Sequence, residues 1–218
     1  MSSFPHSPRL LKGGLVVLDA GSGTVSRIIS LQYNPDTLTR QLQVQGAGEN
    51  GERSEALRLK GPPVETLRLE VEIDATDQLE FPRDHPQTLE HGIQPQLSAL
   101  ETLVFPASST LQQNNGLAAA GLIEILPAQA PLTVFVWSKS RVMPVRLAEF
   151  SITEEAFDAA LNPIRAKISL SLRVLNVNDV GFTHRAGSLY MSYQQQKEQL
   201  ARLHQSGQLN TLGLNSLP

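Results

Sequence analysis

Two segments of this chain alternate apolar and polar residues without a break, and a period of two is that of a strand with one buried and one wet face. Residues 66–74 set Leu67, Leu69, Val71 and Ile73 against Thr66, Arg68, Glu70, Glu72 and Asp74. Residues 164–175 set Ile164, Ala166, Ile168, Leu170, Leu172 and Val174 against Arg165, Lys167, Ser169, Ser171 and Arg173. A strand of that second length spans about 40 Å at ~3.3 Å per residue. Weaker alternation predicts strands over 25–33, over 37–45 with Leu38, Leu42 and Val44 in phase, over 132–136, and over 142–152, where Pro144 belongs at an edge or bulge. If 66–74 and 164–175 are neighbours, the acidic wet face of one meets the basic wet face of the other; alternatively both faces line a wet interior.

Turn chemistry separates these strands: Asn34-Pro35-Asp36, the run Gly46 to Gly51, Gly61-Pro62-Pro63 and Asn162-Pro163. One internal helix is predicted over 95–104, with Pro95 in its first turn and Leu97, Leu100 and Leu103 or Val104 on one face. Residues 76–92 and 106–120 read as long surface loops. The fold class is therefore mainly β, of α+β type and antiparallel, over residues 1–180. Beyond Gly181 the spacing turns helical. Leu189, Tyr193, Leu200 and Leu203 form a narrow stripe, and a tail with Leu209, Leu212, Leu214 and Leu217 follows. This extension, residues 181–218, reads either as a helix packed on its own sheet or as a docking element for a neighbour.

The functional classes narrow by chemistry. Eighteen Lys plus Arg against 21 Asp plus Glu give a net charge of −3, which offers no uniform attraction for nucleic acid or anionic lipid. No aromatic residue interleaves with the Arg165, Lys167 and Arg173 face for base stacking. With no cysteine, disulfides, thiolate metal sites and cysteine nucleophiles are all excluded. The opening MSSFPHSPR places prolines where a signal peptide needs an apolar run, so cytoplasmic synthesis is expected and membrane insertion is not. Gly46 to Gly51 fits GxGxxG, yet Glu49, Glu52 and Glu55 crowd the place where a pyrophosphate would meet a helix N-terminus, which favours a hairpin loop. Gly21-Ser22-Gly23 lacks the glycine a nucleophile elbow requires. His85 and His91, near Asp84 and Glu90, are the only histidine cluster, and nothing in their spacing gives metal-ligand geometry. No cofactor and no catalytic group is assigned, and an enzyme is not expected.

Taken in order, YNPDTLTR at 33–40, GPPVETLRLEVEIDATD at 61–77, LSALETLVFP at 97–106, PLTVFVW at 131–137 and PVRLAEFSITEEAFDAALNPIRAKISLSLRVL at 144–175 resemble one family. It is the tube-domain family of contractile injection systems, the phage-tail-like particles whose baseplate joins an inner tube to a spike. The resemblance implies a tail-tube-like antiparallel β-barrel and a structural subunit of the baseplate or inner tube, a tube initiator or adaptor. Such a subunit assembles as a homo-oligomeric ring, hexameric in that family, with tube, hub or spike proteins as partners, in a particle that acts outside the cell. Tyr33, Asn34 and Pro35 would then shape a turn between strands and Arg40 would bridge to an adjacent chain. Asn162 and Pro163 would open the long strand whose Arg165 and Lys167 face a channel or a neighbour. Many relatives continue into a peptidoglycan-binding LysM module; residues 181–218 show none. A soluble β-barrel module binding a small ligand or cell-wall glycan, through the barrel mouth and the 76–92 loop, is the alternative.

Overall fold

A computed structural model describes residues 10–19, 22–46, 57–121, 130–204 and 207–217. Among the described residues, seven strands form one antiparallel sheet: β1 (Gly14–Leu18), β2 (Val25–Ser30), β3 (Thr39–Gln43), β4 (Val64–Asp74), β5 (Leu132–Ser138), β6 (Arg141–Phe157) and β7 (Pro163–Val174). Their order is β2-β1-β5-β6-β7-β4-β3. The successive strands β2 and β3 are thus the two edges and do not pair with each other, so the sheet is not a closed barrel.

The two strongly alternating segments are neighbours in the sheet, as β4 and β7. Their register sets Leu67 opposite Leu172, Leu69 opposite Leu170, Val71 opposite Ile168 and Ile73 opposite Ala166. All eight are buried in one core cluster, which Leu15, Phe135, Met143 and Val145 extend through β1, β5 and β6. Burying one such large apolar side chain contributes about 1.5–3 kcal/mol.

Strand lengths are unequal. β6 pairs with β7 from Val145 to Phe157 but with β5 only through its first five residues, so from Arg146 onward its other edge has no strand partner among the described residues. β3 likewise covers β4 only as far as Arg68. The β6–β7 hairpin turns on Asp158, whose carboxylate accepts the backbone N–H groups of Ala160 and Asn162 and the Asn162 side-chain amide, each at 2.8 Å. Ala156 and Leu161 there take left-handed φ values of 55° and 66°.

The expectation of loops over 76–92 and 106–120 is overturned. Helices α1 (Thr76–Leu79), α2 (Pro86–His91) and α4 (Ser108–Ala119) lie there, flanking α3 (Gln94–Glu101), the one helix expected. α4 buries no residue, so it has no apolar face for the sequence to announce. α3 buries Leu97 and Leu100 on the core and continues the inner covering of the long strands. The turn from α2 into α3 needs glycine: Gly92 has φ +58°, and a Cβ there would lie 2.2 Å from the Pro163 carbonyl oxygen.

After β7, α5 (Val177–Val180) opens with a capping box between Asn176 and Asp179, and α6 (Arg185–Arg202) is N-capped by His184, whose Nδ1 accepts from the Ala186 N–H at 3.1 Å. Tyr190 and Tyr193 of α6 join the sheet's core cluster. Leu200 and Leu203 are exposed, and a short 3-10 turn, Leu209–Leu212, follows. The expected docking stripe is therefore divided: Tyr193 serves its own sheet, Leu189 is half-buried, and Leu200 and Leu203 face outward. Around β3 the apolar phase is only partly covered: Leu38 packs against the core, while Leu42 on this edge strand and Val44 just beyond it are exposed.

Candidate functional site

The wet face of the central strands is a ladder of paired charges. Arg165 on β7 lies between Asp74 of β4 and Glu155 of β6, and its Nη2 meets Asp74 Oδ2 at 2.7 Å. Two residues on, Lys167 Nζ is 3.3 Å from Glu155 Oε1. The acidic and basic faces therefore meet across neighbouring strands. Partial burial alone would raise the pKa of Asp74, but hydrogen bonds from Thr76 and the Arg165 guanidinium outweigh it and hold the carboxyl below its ordinary range. Arg165 is held correspondingly more firmly protonated by Asp74. Glu70 and Glu72 on the same face carry no ion pair among the described residues.

The backbone at the margins follows the same alternation. Successive residues of a strand send their N–H and C=O to opposite sides. Asp74 directs both away from β7, because its N–H donates to Gln32 Oε1 at 3.0 Å and its carbonyl accepts from Gln32 Nε2 at 2.7 Å. Glu70 and Glu72 share that parity and lie beyond the reach of β3. Carried across the β4–β7–β6 register, the same rule aims the N–H and C=O of Ile152 and Glu154 out of the free edge of β6. These are the unpaired groups through which another strand can add.

A buried carboxylate that the motif reading missed ties the C-terminal helix to this sheet. Glu65 at the start of β4 is 2% exposed and in phase with Leu67 and Leu69. Its Oε1 accepts from Arg40 Nε at 3.0 Å and from the Tyr193 hydroxyl at 2.9 Å, and its Oε2 from Lys197 Nζ at 2.9 Å. The Lys197 ammonium also sits 4.0 Å from the centroid of the Tyr193 ring. Burial would raise the Glu65 pKa; Lys197, Tyr193 and Arg40 together outweigh it and lower it. Burial and the adjacent carboxylate push the Tyr193 hydroxyl well up, so it remains a donor. The apolar phase of 65–73 was the available signal, since a glutamate in it must find partners indoors.

The other expected residues fall as follows. Arg40 pairs within its own chain, with Glu65. Tyr33, Asn34 and Pro35 lie in the β2–β3 connection. There Asn34 accepts from the Gly13 N–H at 2.9 Å and donates to the Leu11 carbonyl at 2.8 Å, fastening the connection to the entry of β1. Asn162 also donates to the Glu90 carbonyl at 3.1 Å, and the Pro163 carbonyl accepts from the Ile93 N–H, so both residues anchor the hairpin to α2 and α3. Most of the GxGxxG run lies outside the described residues; the bridge between Gly46 and Leu59 on either side of it is antiparallel, as in a hairpin. Gly21 is also outside them. His85 precedes α2 as its cap residue and His91 is 3.8 Å from Glu90 on the surface. Among the described residues no three His, Asp or Glu converge to hold a metal, and no helix is long and apolar enough to cross a membrane.

Compared with known proteins, the chain matches no family model and no curated protein.

Proposed function

We propose that this chain is a non-enzymatic structural subunit of the baseplate or inner tube of a contractile injection particle, which assembles as a ring and links the tube to its hub or spike. The observation that carries the reading is the free edge of β6 from Arg146 to Phe157, a stretch whose other edge pairs with β7. An unpaired edge of that length invites strand addition. A neighbouring copy pairing along it would extend the sheet around a ring and supply the closure that one chain lacks. The charge ladder would then line the inner or inter-ring surface, already neutralised within each subunit. Leu200, Leu203 and the leucines of the tail would contact the next component.

Negative-stain electron microscopy of the purified chain, alone and with candidate tube and spike proteins, tests the proposal. Rings or co-purifying assemblies are expected. Glu154→Pro removes one outward N–H while leaving the β6–β7 ladder its donors, and should abolish rings without unfolding the subunit. A monodisperse monomer indifferent to both partners refutes the reading.

A further inference from the structure

The open seam between the two edges of the sheet is a second and separate feature. On one side, β2 bonds to β1 through Leu31 and its alternate neighbours, because the Leu31 N–H donates to the Gly13 carbonyl; Ile28 and Ser30 therefore direct their N–H and C=O outward. On the other side, Glu70 and Glu72 of β4 direct theirs away from β7, beyond the end of β3. α3 forms the floor, and the groove of about 410 Å³ between them is lined by Ile28, Ile29, Val71, Ile73, Ala99 and Leu100.

The end of the groove and its borders indicate what chemistry it accepts. At its end the amide of Gln32 both donates to and accepts from the backbone of Asp74, which is the pair of bonds a peptide group of an added strand would make. An extended backbone whose N–H and C=O groups alternate between its two sides answers both flanking edges. The lining is apolar apart from Ser30, Gln32, Gln96 and Arg27, whose guanidinium donates to the Ala99 carbonyl and the Thr102 hydroxyl, and the wet face of the adjoining stretch of β4 carries Glu70 and Glu72.

We infer that this seam receives an extended segment of another protein, apolar on its inner face and bearing Lys or Arg on its outer face, as an added strand between β2 and β4. Backbone bonds supply the affinity and the alternation of side chains supplies the selection. The inference does not depend on ring assembly, and its test uses the isolated chain.

The probe is the fluorescein-labelled peptide KVKIKVK, compared by fluorescence anisotropy with EVEIEVE and with KVKIKVK N-methylated at alternate residues. Saturable binding of the first is expected, at least tenfold tighter than either control. Ala99→Trp, which fills the floor, should weaken it tenfold or more, with folding verified by thermal melting. The doubly substituted Glu70→Lys, Glu72→Lys chain, altered only on the surface, should reverse the preference between the basic and acidic peptides. Glu154→Pro, on the opposite edge, should leave binding unchanged. Lack of saturation, equal binding of the N-methylated peptide, or an unchanged charge preference in the Lys variant each overturns the inference. Self-association that Ala99→Trp dissolves would assign the seam to a second copy and overturn it as well.

Discussion

Replacing Lys197 with Met tests whether the C-terminal helix is held to the sheet by Glu65. Methionine keeps an unbranched stem beside the Tyr193 ring but removes the ammonium that lies 2.9 Å from Glu65 Oε2 and 4.0 Å from the ring centroid. A hydrogen bond to a charged group contributes about 1.5–3 kcal/mol, and an exposed cation–π contact about 0.5–1. Lys197 is about one-third exposed, and Glu65 retains Arg40 and Tyr193, which places the expected loss at the lower end, about 2–3 kcal/mol. For a chain of this size that lowers Tm by about 4–12 °C, read by calorimetry or circular dichroism. The effect depends on pH in a defined direction. Because the Glu65 pKa is lowered in the folded chain from its ordinary value of 4.5, the stabilisation is present above that value and is lost as pH falls through the folded one. The gap between wild type and Lys197→Met should therefore close below about pH 4.5. In a double-mutant cycle with Glu65→Gln, the coupling should exceed about 1 kcal/mol. A loss below about 0.5 kcal/mol at neutral pH, or zero coupling, would show that the helix is held by its tyrosines alone.

Gly92→Ala should destabilise by at least about 2–3 kcal/mol in denaturant melts, since the new methyl would meet the Pro163 carbonyl at 2.2 Å in a backbone region closed to other residues. Gln32→Ala removes both bonds to Asp74 and should cost about 1–2 kcal/mol, with hydrogen exchange of the Asp74 amide accelerated more than that of Leu69. Asn162→Ala loses its side-chain bonds to Asp158 and to the Glu90 carbonyl and should cost about 1–2 kcal/mol, seen as faster exchange at Ala160 and Asn162.

What the sequence disclosed depended on which face each element buries. β4 and β7 bury one face and wet the other, so period two alone named the strands; of the charges on their wet sides, Asp74 and Arg165 paired in register as anticipated, while Lys167 pairs with Glu155 of β6. β1 escaped notice because Gly14 to Leu18 is apolar throughout and largely buried on both faces, which leaves no alternation to read. α4 escaped for the opposite reason, having no buried residue at all. Leu38, Leu42 and Val44 announced a strand that is present as β3, but only Leu38 packs against the core, since an apolar phase on an edge strand need not be covered by the same chain. The free edge of β6 and the seam beside α3 were invisible as well. They follow from unequal pairing lengths between strands distant in sequence, which local pattern does not encode.

The long hairpin also has a mechanical side. The rungs between β6 and β7 run perpendicular to the strands. Tension directed along the hairpin axis therefore strains every rung together, whereas a sideways pull at the Asp158 turn opens them one after another like a zipper. A subunit built around such a ladder resists stretching in one direction far better than in the other.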